Sequence, residues 1–261
     1  MKRKKYLILT LLLVLTTLLL SACSPQTGAN TGFFHNYFVE PLTSLILGTA
    51  HVFSNSYGIA IILITLLVRI ILLPLMLKQY KTQANMKEKM DLLKPEMDEI
   101  QQKLKTVKDP KIQKDLQKEM MGLYQKHGVN PLNMGCLPLL IQMPILMAFY
   151  YAIRDSHEIA THTFLWFNLG QPDIWLTALA GIVYFFQFKI SQSSMSIQQQ
   201  QQMKYMGLIS PVMIIFISLS APAALPLYWV VGGIFLIFQT YLGRKLYQTP
   251  KQVTDSKTQK G

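Results

Sequence analysis

Acidic side chains are missing from every long apolar stretch of this 261-residue chain. Asp and Glu number 13 in all, and none falls inside such a run, so an intramembrane proton relay, cation site or proteolytic dyad has no residue to carry it. Cysteine is almost absent as well: Cys23 and Cys136 exclude a disulfide framework in a mature chain. No glycine-rich loop runs into a lysine and a serine or threonine, so nothing points to ATP. The five histidines, His35, His51, His127, His157 and His162, fall in no metal-ligand spacing. Neither cofactor, metal, enzymatic chemistry nor small-molecule substrate is expected.

What is present is apolar surface. Hydrophobic residues make up 51% of the chain against 15% charged, and the mean hydropathy is +0.27. A window of roughly 19 residues, the length that crosses about 30 Å of hydrocarbon, finds five near-uncharged runs. They are Tyr57–Leu77, Met134–Ile153, Ile174–Phe188 (extending towards Ile190), Gly207–Leu225 and Pro226–Leu242. The N-terminus follows a different logic. Lys2-Arg3-Lys4-Lys5 supplies a basic n-region and Tyr6–Leu19 an apolar h-region, as in a secretory signal over residues 1–22. Leu20-Ser21-Ala22-Cys23 resembles a bacterial lipobox, with Cys23 as the lipidated mature N-terminus; the alternative is an uncleaved anchor with an incidental cysteine.

Positive charge sets the orientation, because cytoplasmic flanks carry the excess of lysine and arginine. Residues 78–133 hold twelve lysines and eight acids. The loop 191–206 with its flank has Lys189 and Lys204 and no acid, and the tail 243–261 has Arg244, Lys245, Lys251, Lys257 and Lys260 against Asp255. Between Cys23 and Tyr57 there is no lysine or arginine, and the loop 154–173 has only Arg154 beside Asp155, Glu158 and Asp173. The pattern predicts an N-terminus outside and a C-terminus in the cytoplasm. The net charge of +12 is then mostly a property of the cytoplasmic face, suited to anionic lipid or ribosomal RNA nearby without a nucleic-acid-binding fold. Phe38 to Phe53, too short and too interrupted by Glu40, Pro41 and His51 to span, is expected to lie along the outer interface, within a tether and interfacial segment 23–56.

The segment Lys78–His127 reads as an antiparallel helical hairpin broken at Lys108-Asp109-Pro110. Met86, Met90, Leu93, Met97, Ile100 and Leu104 form one heptad seam. Ile112, Leu116, Met120 and Leu123 form the other, and Gly128 and Pro131 end it. The methionines are expected to fill that seam rather than to present a client-binding surface.

Within the runs, polar groups are few. Arg69 sits eight residues from the inner end of Tyr57–Leu77, a depth of about 12 Å. A lone arginine there costs about 2.5 kcal/mol or more unless it meets water or a polar partner. Gln142 lies eight residues into its run, and Gln187 and Gln239 fall near the inner ends of theirs. Each glutamine alone reads as helix-to-helix glue; a level shared with Arg69 suggests a hydrophilic recess reaching part-way into the bilayer from the cytoplasm. The fold expected is an all-α integral membrane protein. Five transmembrane helices (57–77, 134–153, 174–190, 207–225 and 226–242) surround a polar groove and carry a cytoplasmic helical hairpin.

Five motifs make a family resemblance visible. They are Val68-Arg69-Ile70-Ile71-Leu72-Leu73-Pro74-Leu75, Gln125-Lys126-His127-Gly128-Val129-Asn130-Pro131, Leu137-Pro138-Leu139-Leu140-Ile141-Gln142-Met143-Pro144, Phe164-Leu165-Trp166-Phe167 and Pro222-Ala223-Ala224-Leu225-Pro226-Leu227-Tyr228-Trp229. From about Phe38 to Leu246 the chain resembles the YidC membrane-protein insertase family, in the five-span lipoprotein form of Gram-positive bacteria. Asn168 and Gly233 depart from it, standing where the family commonly has Asp and Asn. The resemblance implies a groove open to cytoplasm and lipid, with Arg69 beside Gln142, Gln187 and Trp229. Acidic tails of nascent membrane-protein clients would be drawn in and the apolar segment released into lipid. It also implies the ribosome and the Sec translocon as partners, with membrane lipids around the spans. Two rivals predict other features. A small-anion transporter would show inverted repeats and broken helices, which are not seen; a passive assembly scaffold would use Arg69 to pair with glutamines.

Overall fold

The computed structural model describes residues 32–107, 109–129, 136–193, 195 and 197–247. The proposed signal, Cys23, Asn130-Pro131, Met134 and most of the basic tail lie outside them. A π-helical turn, His35–Val39, leads into α1 (Glu40–Val52), followed by α2 (Tyr57–Thr106), α3 (Pro110–Lys126), α4 (Cys136–Asp155) and the short α5 (His157–Thr161). A two-stranded antiparallel ribbon follows, β1 (Thr163–Phe164) with β2 (Phe167–Asn168), then α6 (Ile174–Gln192), α7 (Ile197–Ser218) and α8 (Ala224–Tyr247).

The 50-residue α2 contains both the first apolar run and the first arm of the hairpin. At 1.5 Å per residue it is about 75 Å long, more than twice a bilayer's hydrocarbon thickness. Nothing interrupts it at residues 77–78, because Lys78 to Met90 contains neither glycine nor proline. It ends where expected: the Asp109 side chain accepts a hydrogen bond from the Lys111 backbone N–H at 2.7 Å, and Pro110 opens α3 at a position whose missing N–H costs nothing. Met90, Leu93, Met97 and Ile100 are buried in the seam, with Leu116 buried on the facing arm, so these methionines do pack. Ile112 does not; it is 48% exposed near the hairpin tip.

Two expected boundaries need correction. Helix α7 begins at Ile197, inside what reads as the loop 191–206, because a glutamine run is a good helix former without being apolar. The division between runs at 225 and 226 is displaced too. Helix α7 stops at Ser218 and α8 starts at Ala224, with Pro226 in its first turn. The connecting turn is tied to the chain before α6, since the Ala223 and Ala224 N–H groups donate to the Gln171 and Leu169 carbonyls at 2.9 and 3.0 Å.

Among the described residues, three helices are long and apolar enough to cross a membrane: α2, α6 and α8. Helix α8 packs most extensively on both α2 and α6, and α6 also packs on α7, while α4 leans chiefly on α1 and the π-helical turn. The main buried cluster lies at one end of this bundle, where α1, α5 and the β-ribbon cap it. It holds Ile46 of α1, Tyr57, Ile61 and Ile64 of α2, Phe149 and Ile153 of α4, and Leu176 and Ala180 of α6, with the first turns of α8. Towards the hairpin the packing thins: no residue of α2 between Ile70 and Lys89 is buried. Around the bundle, Leu67, Ile71, Ile182, Phe186, Phe216 and Phe238 point outward and are exposed. Such a belt would be a liability in water and is the expected contact with acyl chains.

Candidate functional site

Arg69 stands at the lower edge of the packed cluster. Its residue surface is 8% exposed, and it makes neither a hydrogen bond nor an ion pair with any described residue. The neighbouring α8 accommodates it by lacking a side chain. A Cβ on Gly232 would lie 2.8 Å from Arg69 Nη2. At the next position, a Cβ on Gly233 would lie 2.6 Å from Val183 Cγ1 and 3.1 Å from Tyr184 Cε2 of α6. The adjacent glycines let α2 and α6 close on α8 from two sides, as small residues do at intramembrane helix crossings. This explains why glycine stands at 233 in this chain: an asparagine there would need the space that Val183 and Tyr184 occupy.

Tyr228 is four residues before Gly232, on the same face of α8 and one turn nearer the capped end. Its hydroxyl accepts a hydrogen bond from Gln142 Nε2 of α4, and its ring packs on Phe149 with centroids 4.5 Å apart. Arg69 lies within electrostatic reach of both the Tyr228 and the Tyr184 hydroxyls. Two phenols thus lie near the arginine, with Gln142 joined to one of them, and no carboxylate pairs with it among the described residues.

The other expected residues take four different places. Gln142 joins the Arg69 neighbourhood through Tyr228. Gln187 is half-buried, one turn further from the capped end than Tyr184. Gln239 is 2% exposed but not at the level of Arg69. It belongs with a second crossing near the hairpin, where Tyr80 Oη and Thr240 Oγ1 are 2.6 Å apart and the Tyr80 ring lies against Gly243. The expectation of four polar groups at one depth therefore fails for Gln239. Counting from run ends assumes that helices start level, and α8 continues to Tyr247, past the end of its apolar run. Trp229 is buried in the apolar cluster. Tyr184 and Tyr228 escape a reading from sequence because a tyrosine inside an apolar run signals packing.

On the capped side, Asn168 uses both ends of its amide. Its Nδ2 donates to the Thr161 carbonyl at 3.1 Å, and its Oδ1 accepts from the Gly170 N–H at 2.9 Å. An aspartate could make only the second bond. No group of three or more potential metal-ligating side chains occurs among the described residues.

Taken together, a lipid-exposed apolar belt and an unpaired arginine inside a helical bundle define a multi-pass α-helical membrane protein with a polar site between its helices. Residues 48–251 match the family described as 60Kd inner membrane protein. Over 246 residues the chain is 54% identical to a protein of Listeria monocytogenes named membrane protein insertase YidC 2, covering 94% of this chain and 90% of that one. It is 49% identical over 241 residues to the Bacillus subtilis membrane protein insertase MisCB, covering 88% of each. Identity to the Staphylococcus haemolyticus membrane protein insertase YidC is 45% over 256 residues, covering 95% of this chain and 88% of that one. The chain belongs to this family of inner-membrane insertases.

Proposed function

We propose that this chain inserts proteins into the bacterial plasma membrane, and that the surroundings of Arg69 are where it receives them. The carrying observation is the arginine itself: buried, charged, and without a partner among the described residues. Charge distribution supports a five-span topology with the capped end outside and the hairpin, residues 78–133, in the cytoplasm. Dense packing at the capped end and its thinning beyond Arg69 support a recess that opens inward and is closed outward. A client's polar tail would enter that recess, its acidic groups would be drawn to Arg69, and its apolar segment would pass into lipid. Gln142 and Gln187 line the route, and Trp229 holds the wall behind it. Partition of the apolar segment into the bilayer supplies the drive. The lysine-rich hairpin and tail suit contact with ribosomes, anionic lipid and the Sec translocon. A lipidated Cys23, readable in the intact mass of the mature protein, would anchor the outer end.

The scaffold reading requires an Arg69–glutamine bond, and none occurs among the described residues. Two experiments test the proposal. Photo-crosslinkers at Gln142 and Gln187 should capture a stalled nascent membrane protein, and capture at Phe186, on the outer lipid-facing surface, should be weaker. Arg69→Lys should insert a single-span client with an acidic tail nearly as well as the parent, whereas Arg69→Ala should fail and Arg69→Glu should do worse. Lysine failing as badly as alanine in a folded bundle would refute the electrostatic role, because a guanidinium used for its planar fork cannot be replaced by an ammonium.

A further inference from the structure

Resting on that reading, we propose that the client-carboxylate site has three parts: the Arg69 guanidinium and the hydroxyls of Tyr184 and Tyr228, which donate hydrogen bonds to the incoming carboxylate. Arg69 and Tyr184 press on the adjacent positions Gly232 and Gly233, so they meet α8 at one level from the α2 and α6 sides. Tyr228 sits one helical turn above Gly232 on the same face. Three different helices therefore bring these groups together.

The direction of the Gln142 hydrogen bond gives the arrangement its chemistry. Gln142 Nε2 donates, so the Tyr228 oxygen accepts and its own O–H hydrogen remains available. Tyr184 Oη makes no hydrogen bond with a described residue, which leaves a second hydroxyl hydrogen unclaimed. A guanidinium with no counter-ion among the described residues, set between two phenols whose O–H groups are free to donate, is a set rich in donors. Such a set is matched by a group that only accepts, and an ionised Asp or Glu side chain is that group. Neutral Asn or Gln presents an amide that is half donor and carries no charge for the guanidinium, and a lysine beside Arg69 would meet like-charge repulsion. The site therefore selects carboxylate over other polar side chains, which a lone cation in a wet recess does only by charge.

Tyr184→Phe is the clean probe, since it keeps the ring against Gly233 and removes a hydroxyl with no hydrogen-bond partner among the described residues. Tyr228→Phe also removes the acceptor for Gln142, so it serves as the second variant. The full-length protein is reconstituted in liposomes and challenged with a single-span client bearing two aspartates in its tail, and with the same client carrying asparagines. Arg69→Ala is run alongside. Tyr184→Phe should lower insertion of the aspartate client about tenfold or more, the scale of losing a hydrogen bond to a charged group, and leave the asparagine client unchanged. The double variant should lose more. Equal loss for both clients would mean a structural role, and no loss with either Phe variant while Arg69→Ala fails would overturn the phenol site but leave the arginine's role intact. If Arg69→Ala also inserts the aspartate client normally, the underlying reading falls with it.

Discussion

The two adjacent glycines of α8 should respond oppositely to alanine. At Gly233 the new Cβ would meet Val183 Cγ1 at 2.6 Å, about 1 Å inside normal carbon contact, and Tyr184 Cε2 at 3.1 Å. Valine is stiff about χ1, so relief has to come from moving α6 or α8. Overpacking of this kind costs about 1–3 kcal/mol, offset by up to about 1 kcal/mol from replacing glycine in a helix. Gly233→Ala should therefore lose about 0–3 kcal/mol. At Gly232 the nearest atom, 2.8 Å away, is Nη2 of Arg69, the far end of a flexible side chain that can swing aside. Gly232→Ala should be neutral or gain up to about 1 kcal/mol. Equilibrium unfolding in mixed micelles of lipid detergent and SDS measures both. Val183→Ala combined with Gly233→Ala should be more stable than the sum of the single effects by at least about 0.5 kcal/mol, since the colliding methyl is gone. Gly232→Ala proving the more damaging of the two, or an additive double variant, would refute this account of the crossing.

Other parts of the molecule make separate predictions. Asn168→Asp loses the bond to the Thr161 carbonyl and sets a carboxylate against that oxygen; the ribbon should loosen by about 1 kcal/mol, seen as faster hydrogen exchange at Gly170 and Leu169. Unchanged exchange would remove the amide's claimed role. Met97→Ala, at a fully buried seam position, should destabilise the hairpin by about 2–5 kcal/mol and speed its proteolysis, while Met121→Ala, 48% exposed, should not. Equal proteolysis in the two would mean that the methionines do not hold the seam.

Legibility followed the strength of each local signal. Arg69 declared itself because a formal charge in an apolar run is rare and costly, and Asp109-Pro110 because a cap and a helix-starting proline coincide. The turn after α7 was hidden: Leu219 to Ala223 carries no charge, so hydropathy runs straight through it. The unbroken α2 was hidden for the converse reason. A change from apolar to charged composition looks like a boundary, yet the backbone sees only good helix formers. Of the arginine's surroundings only Gln142 was legible, because Gly232, Tyr184 and Tyr228 acquire meaning only when three helices meet. Ile112 had the right period for the seam but lies in the first turn of α3 beside the hairpin tip, where it is 48% exposed.

The apolar runs contain no carboxylate, and Arg69 has no hydrogen-bond or ion-pair partner among the described residues. An internal acid would satisfy the arginine permanently and compete with every client. Gln142→Glu supplies one, because residue 142 already reaches the Tyr228 hydroxyl beside Arg69. A glutamate there accepts the Tyr228 hydrogen and offers its charge to the guanidinium, so the bundle should keep or gain stability. Insertion of an acid-tailed client should fall at least about tenfold, the scale of one charge-assisted hydrogen bond. Gln142→Leu removes the same amide without supplying charge and should fall less, and a neutral-tailed client should separate the two variants little. The assay is insertion at matched protein level, with unfolding of each variant measured in parallel. Glutamate performing as well as leucine on the acid-tailed client would show that the missing carboxylates are a consequence of lipid solvation alone, and that vacancy at Arg69 is not what the chain preserves.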